Sequence, residues 1–245
     1  MINQSSIILH LRRFLAGFLL FAAEFAVTLA VGLLGVVGFL ALGRAVLAQS
    51  VARFDEQAFR WTQRLLGPNS GGWVESITFL ASRNCITALA LGLIAYFLVL
   101  RRHRWYTLLV PVVALGSITL NLLLKNVYNR SRPLLPLVSA SGLSFPSGHA
   151  MISASFYGLL IYLVQTHIRH QAKLRHTLSG LLILLILLIG LTRVYLRVHY
   201  ASDVLAGFAA GLVWLVIAIP LLKKMERTVK AQIKYAPQSA EKQLD

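Results

Sequence analysis

Long apolar runs, separated by short and mostly basic connections, set the pattern of this chain. The first run reads from about Phe18 to Leu42, with Glu24 inside it. Further runs lie within Trp73–Leu100, from about Tyr106 to Leu124, His149 to Gln165, Leu178 to Tyr195 and Val204 to Leu222. A bilayer crossing takes about 20 apolar residues, so the pattern predicts six spans. A carboxylate inside a span is by default a functional hypothesis, but Glu24 reads more plainly as a protonated or near-interface structural group. Residues 1–13 read as a polar arm, and residues from Lys223 to Asp245 as a basic tail that frays at its end. Between spans one and two, Phe54, Ala58, Trp61 and Leu65 recur at helical spacing among Arg53, Glu56, Arg60 and Arg64. That predicts an amphipathic helix lying in the headgroup layer, closed by the turn residues 67–72.

Composition supports the same class. The chain of 245 residues is 57% hydrophobic and 13% charged, against about 25% charged in ordinary globular domains. The expected fold is therefore all-α: a polytopic membrane protein, a bundle of six transmembrane helices plus the interfacial helix, as one unit over 1–245. The net charge of +16 does not mark a nucleic-acid partner, because the positive residues form short clusters between apolar runs rather than one basic face. The single cysteine, Cys85, excludes an intrachain disulfide and leaves no metal cluster. Arg12 and Arg13 before an apolar run, with Val46-Leu47-Ala48 behind it, resemble a cleaved leader. The run is much longer than a leader's core of about 7–15 residues, so a retained first span is expected.

Basic residues at Arg12, Arg13, Arg101, Arg102, Arg104, Arg169, Lys173, Arg175, Lys223, Lys224, Arg227 and Lys230 adjoin span ends on one side. By the positive-inside bias this is the cytoplasmic face, with both termini on it. Arg53, Arg60 and Arg64 fall on the other side, partly offset by Asp55 and Glu56. The segments Lys125–His149 and Arg193–Asp203 both connect an odd span to the next even one, so both emerge on the non-cytoplasmic face.

Those two segments hold the residues with chemistry. His199 and Asp203 at i and i+4 share a helical face. Asp203 can accept a hydrogen bond from Nδ1–H, which fixes the tautomer and leaves Nε2 as a nucleophilic lone pair, the orienting role of an Asp in a catalytic triad; the plain alternative is a cap of the sixth helix. Pro146-Ser147-Gly148-His149 opens the fourth helix. Ser147 is a natural N-cap, the free amides there cradle anions, Gly148 leaves room for a phosphate, and His149 can protonate a leaving oxygen. The plain alternative is an ordinary helix start with an interfacial His. Lys125, Arg132 and Arg193 make a cationic clamp, since guanidinium groups grip phosphate oxygens in pairs; alone, each would read as a basic residue snorkelling to the headgroups.

Lys125-x6-Arg132-Pro133, then PSGH at 146–149, then Arg193-x5-His199-x3-Asp203 resemble the three-part signature of the type 2 phosphatidic acid phosphatase family, in its membrane lipid phosphatase branch. That family usually has Ser before the third-motif Arg; this chain has Thr192, which keeps a hydroxyl. The resemblance implies a six-span bundle in which His199 forms a phosphohistidine, Asp203 orients it and His149 is the general acid. It assigns phosphate binding to Lys125, Arg132, Ser147, Gly148 and Arg193. No cofactor and no metal are expected, and a bell-shaped pH profile is.

The implied partner is a phosphorylated lipid of the bilayer, in a cell membrane that short loops and aromatic belts suit to a bacterium. Undecaprenyl pyrophosphate, phosphatidylglycerophosphate, phosphatidic acid and lipid A phosphates all carry the required group. Six apolar spans disfavour the family's soluble acid phosphatases and vanadium haloperoxidases. A lipid-to-lipid phosphotransferase is an alternative outcome of the same chemistry. An anion transporter is the alternative from another class, disfavoured because transporters hold their sites near the midplane rather than at span ends on one face.

Overall fold

The computed structural model describes residues 4–68, 70–101 and 103–241. The side chains of 4–11, 13, 20, 21, 24 and 232–241 are not among those described. Glu24 as an intramembrane carboxylate, Arg13 and Arg102 as topology signals, the Asn69 of the expected turn and the last four residues of the tail thus lie outside the described residues.

Helices in chain order are α1 (Gln4–Leu47), α2 (Ala52–Leu66), α3 (Gly71–Phe79), α4 (Arg83–Ala95), α5 (Arg104–Tyr128), α6 (Gly148–Ile152), α7 (Gly158–His167), α8 (Ala172–Tyr195) and α9 (Ala201–Glu241). Single π turns extend α4 over Tyr96–Leu100 and join α6 to α7 over Ser153–Tyr157, so 148–167 is one continuous rod. No strand occurs among the described residues, and the fold is all-α as expected. Five stretches are long and apolar enough to cross a membrane: Phe25–Leu47, Gly71–Leu100, Arg104–Tyr128, Ala172–Tyr195 and Ala201–Ala231. The expected fourth span, carried by the 148–167 rod, is not among them. The reason is its place in the bundle. Residues 150–159 are buried, so it is sheltered by neighbouring helices and can carry Ser153 and Ser155, whose hydroxyls bond back to Ala150 O (2.9 Å) and Ile152 O (3.3 Å).

Several expectations need correction. The N-terminal arm is helical from Gln4 and continuous with α1, and the basic tail is helical as a continuation of α9 to Glu241. The second apolar run is broken: α3 ends at Phe79, and Ser82 restarts the chain as the N-cap of α4, accepting from the Cys85 amide at 3.3 Å. The amphipathic helix is where the spacing predicts it, at Ala52–Leu66. Its Phe54, Trp61 and Leu65 are exposed, while Asp55, Phe59 and Thr62 turn into the bundle. Asp55 therefore does not offset surface arginines. Glu56 does, pairing with Arg60 at 3.4 Å.

The core gathers Phe97, Val110, Val113, Phe156, Leu159 and Ile189 between α4, α5, α7 and α8, closed by Leu215 and Ala218 of α9. Leu181, Ile183, Leu184 and Leu187 of α8 point outward, as a lipid-facing surface would. Helix α9 passes unusually close to the start of the rod. A Cβ on Gly207 would lie 2.6 Å from the Ser147 carbonyl oxygen, and one on Gly211 2.4 Å from that of Met151. Small residues one turn apart let two membrane helices approach to backbone contact, and here that contact seats the α6 N-terminus.

Candidate active site

Three chain segments meet at one end of the bundle: the end of α5 with the loop 129–147, the start of α6, and the turn between α8 and α9. His199 lies in that turn, before the first residue of α9, so it does not share a helical face with Asp203 as the spacing predicts. The pair is brought together by the turn itself. Arg197 takes a left-handed conformation (φ 53°), and the Val198 and His199 amides both donate to Arg193 O at 3.3 Å. His199 is 2% exposed and Asp203 0%.

His199 Nδ1 stands 3.6 Å from Asp203 Oδ2, an ion-pair separation longer than a formed hydrogen bond. Ser144 sits beside the gap: its hydroxyl donates to Asp203 Oδ2 at 2.5 Å and its oxygen is 3.4 Å from His199 Nδ1. The Tyr200 amide also donates to Asp203 Oδ2, at 2.9 Å. Asp203 thus reaches back from the third position of α9 to the residue that precedes it, half of a capping box. The helix-capping and orienting readings of Asp203 describe one geometry. Burial pushes the His199 imidazole down to about 4; Asp203 opposes this, and the charges of Arg132 and Arg193 add to it. The ring is therefore neutral at pH 7, with Nδ1 toward the carboxylate and Nε2 toward Arg132, whose Nη1 is 3.4 Å away.

Arg132 is held by main-chain carbonyls. Its Nε donates to Ser141 O (3.1 Å) and Gly142 O (3.0 Å), and its Nη1 to Val198 O (2.7 Å). Lys125, in the last turn of α5, donates to Leu143 O. Arg193, in the last turn of α8, is anchored by Nη1 on the Thr78 hydroxyl at 2.8 Å, and its buried Nε has no partner among the described residues. None of these three cations has a carboxylate within 4.0 Å among the described residues. A buried guanidinium without an anion is costly, so the arrangement is one that an anionic group completes.

Ser147 caps α6 as its type predicts, accepting from the Ala150 amide at 3.4 Å. Its own amide donates to Asp203 O at 3.0 Å, which leaves its hydroxyl hydrogen and the Gly148 and His149 amides as the free donors of that turn. A Cβ on Gly148 would sit 3.1 Å from Asn121 Oδ1, a tight contact that would press on that side chain. Asn121 itself fixes the turn, donating to Pro146 O at 3.2 Å. The His149 ring has no hydrogen-bond partner among the described residues and lies within electrostatic reach of Lys125, Arg132, Arg193 and His199. Thr192, at the family's serine position, spends its hydroxyl on Ile189 O at 2.6 Å and takes no part in the site.

Spacing alone did not single out Arg130, Asp55, Ser202, Ser144 or Thr78. Arg130 donates through Nη1 to Asp203 Oδ1 (2.6 Å) and Ser202 Oγ (2.8 Å), and through Nη2 to Asp55 Oδ2 (2.8 Å). Its guanidinium lies 3.9 Å from the centre of the Tyr200 ring. A cavity of about 510 Å³ opens beside this group, between Val46, Asp55, Phe59, Tyr128, Arg130 and Tyr200. No group of three or more His, Cys, Asp or Glu is placed to hold a metal ion among the described residues.

Known proteins resemble the chain in sequence and in fold. Phosphatidylglycerophosphatase B of Bacillus subtilis (strain 168) is 30% identical over 190 residues, covering 77% of this chain and 93% of that protein. The crystal structure of a transmembrane PAP2-type phosphatidylglycerolphosphate phosphatase from Bacillus subtilis matches with a TM-score of 0.72 at 28% identity, over 79% of this chain and 96% of that one. The crystal structure of Aquifex aeolicus LpxE shares the fold, with a TM-score of 0.53 at 23% identity over 67% of this chain and 93% of that one. Residues 105–227 match the PAP2 superfamily. The chain belongs to that superfamily, as a multi-pass membrane lipid phosphatase that hydrolyses phosphoric esters without a metal.

Proposed function

We propose that the chain removes phosphate from a membrane lipid on the non-cytoplasmic face, through a phosphohistidine on His199. The observation that carries this reading is the contrast among the cations. Among the described residues, Lys125, Arg132 and Arg193 surround the His199–His149 region without a carboxylate partner, while neighbouring Arg130 is paired twice. The clamp spreads the charge that builds on the phosphoryl oxygens, usually the largest catalytic contribution. Ser147 and the Gly148 and His149 amides add donors.

Neutral His199 attacks phosphorus through Nε2 while His149 gives its proton to the departing oxygen, so the P–N bond forms as the P–O bond breaks. Water then attacks phosphorus and gives a proton to the now neutral His149. The P–N bond breaks, its electron pair returns to His199, and inorganic phosphate leaves. Asp203 balances the positive charge on His199 while the phosphohistidine exists.

The name of the Bacillus subtilis relative directs the first choice of substrate to phosphatidylglycerophosphate; undecaprenyl pyrophosphate and phosphatidic acid present the same group. The basic residues at the opposite span ends support an outward-facing site, with both termini in the cytoplasm and the 148–167 rod as the fourth of six spans. The test is phosphate release over these lipids in detergent, with wild type and His199→Ala. Wild type should release phosphate, and the variant should lose on the order of 10³-fold or more, as when a nucleophile is removed. Full activity in His199→Ala overturns the reading.

A further inference from the structure

Asp55 is the least expected member of the site region. It lies on the amphipathic helix α2, among residues whose pattern marks a membrane surface, yet it is 1% exposed. Its Oδ1 accepts from the Ser202 amide (2.8 Å), and its Oδ2 from the Ser202 hydroxyl (2.8 Å) and Arg130 Nη2 (2.8 Å). The other arm of the same guanidinium holds Asp203 Oδ1. One planar cation thus bridges two buried carboxylates, and the fork fixes the angle between them. With Ser144 and the Tyr200 amide on its second oxygen, Asp203 cannot rotate. Without Asp55, Arg130 would be anchored through Nη1 alone, on Asp203 and Ser202, and the fork would lose the second carboxylate that sets its angle.

We propose that Asp55 is a positioning residue for phosphoryl transfer: through Arg130 it fixes the Asp203 carboxylate, and through that the His199 ring. The inference rests on the reading of His199 and Asp203 given above. It joins the helix at the lipid surface to Asp203 by charge-assisted hydrogen bonds through Arg130, and Asp203 then faces the reacting imidazole across the 3.6 Å ion-pair contact with His199. A simple staple between α2 and α9 would need only the two Ser202 contacts. The Arg130 fork adds direction, aimed at the carboxylate that faces His199. The charged groups that bear on His199 itself are Asp203, Arg132 and Arg193; none of these is removed by changing Asp55.

The test compares Asp55→Asn, Arg130→Lys, their combination, Glu56→Gln and His199→Ala. Phosphate release is measured per mole of folded protein, taken from the monodisperse peak in size exclusion. Asp55→Asn should lower kcat on the order of 10²-fold, the scale of a misoriented reacting group. KM should stay within about threefold, because Lys125, Arg132 and Arg193 are untouched. Arg130→Lys should reproduce this, since an ammonium cannot hold both carboxylates in a fixed fork. The double variant should be no worse than either single one, because both break the same device, and Glu56→Gln should match wild type.

The inference is overturned if Asp55→Asn keeps more than half of kcat, if its loss only tracks the folded fraction, or if the two losses multiply in the double variant. If Asp55→Asn does not accumulate as folded protein, Arg130→Lys decides on the same criteria. His199→Ala separates the two levels. An active His199→Ala removes the reading of the site itself, whereas an inactive one beside an unaffected Asp55→Asn removes only the role of Asp55.

Discussion

The amide of Ser147 donates to the main-chain carbonyl of Asp203 at 3.0 Å. The two helix starts that carry His149 and Asp203 are therefore joined backbone to backbone, with no side chain between them. Gly207, one turn past Asp203 in α9, is what permits it, since its Cα faces the Ser147 carbonyl.

Gly207→Ala should accordingly act on stability and activity together. A methyl group 2.6 Å from a carbonyl oxygen must push α9 and α6 apart, and overpacking of this kind costs about 1–3 kcal/mol. The measurement is the detergent melting temperature beside kcat for phosphate release, both of which should fall. Gly180→Ala on α8, where an added Cβ meets nothing within 4 Å, should leave both near wild type.

The pH dependence follows from the buried imidazole. His199 is held down to about 4 by burial, and its neutral form is the attacking one. The acid limb of kcat/KM should therefore lie near pH 4, well below the value of about 6.5 for a free histidine. For stability the sign is the same. Between about pH 6.5 and 4 the unfolded chain takes up a proton that folded His199 refuses. This contribution is whole above 6.5 and is lost as pH falls through 4. An acid limb near 6.5, read from a phosphate-release profile, would contradict the burial argument.

The unpaired cations predict anion linkage. Inorganic phosphate should raise the melting temperature of the detergent-solubilised protein, by about 2.7 kcal/mol of stability at a hundredfold excess over Kd. Arg193→Ala should abolish the shift. Thr78→Val, which removes the hydroxyl that anchors Arg193 at 2.8 Å, should weaken it, raising KM for lipid about tenfold while changing kcat less. The loss of one hydrogen bond to a charged group is of that order. A phosphate-induced shift equal in all three proteins would remove Arg193 from the anion site.

The chain's hydrophobic pattern located the helices well because lipid-facing residues must be apolar whatever their neighbours. It was least informative where protein replaces lipid. The 148–167 rod is shielded by its neighbours and so need not be as apolar as a lipid-facing span, and the break before Ser82 is a local cap within an apolar run. The chemistry-bearing residues Lys125, Arg132, Ser147, His149, Arg193, His199 and Asp203 stood out because charge and histidine are rare in such a chain and recur there at short intervals. Asp55, Arg130 and Ser144 did not. Asp55 and Arg130 meet across 75 positions of sequence, and Ser144 and Asp203 across 59. Asp55 also fits the surface charge pattern of an amphipathic helix, while only its position on the inward face of α2 gives it a different task.

The shelter of the rod has a bearing on biogenesis. A stretch that holds serines in its middle gains little from hydrocarbon alone, and the close partner of its first turns is α9, which is synthesised after it. The expected order is that the earlier helices enter the bilayer on their own apolarity, whereas the histidine-bearing rod settles only once α9 arrives to clasp it. A chain truncated before Ala201 should therefore leave residues 148–167 open to added protease while α1 and α8 stay protected; equal protection of all three would refute this order.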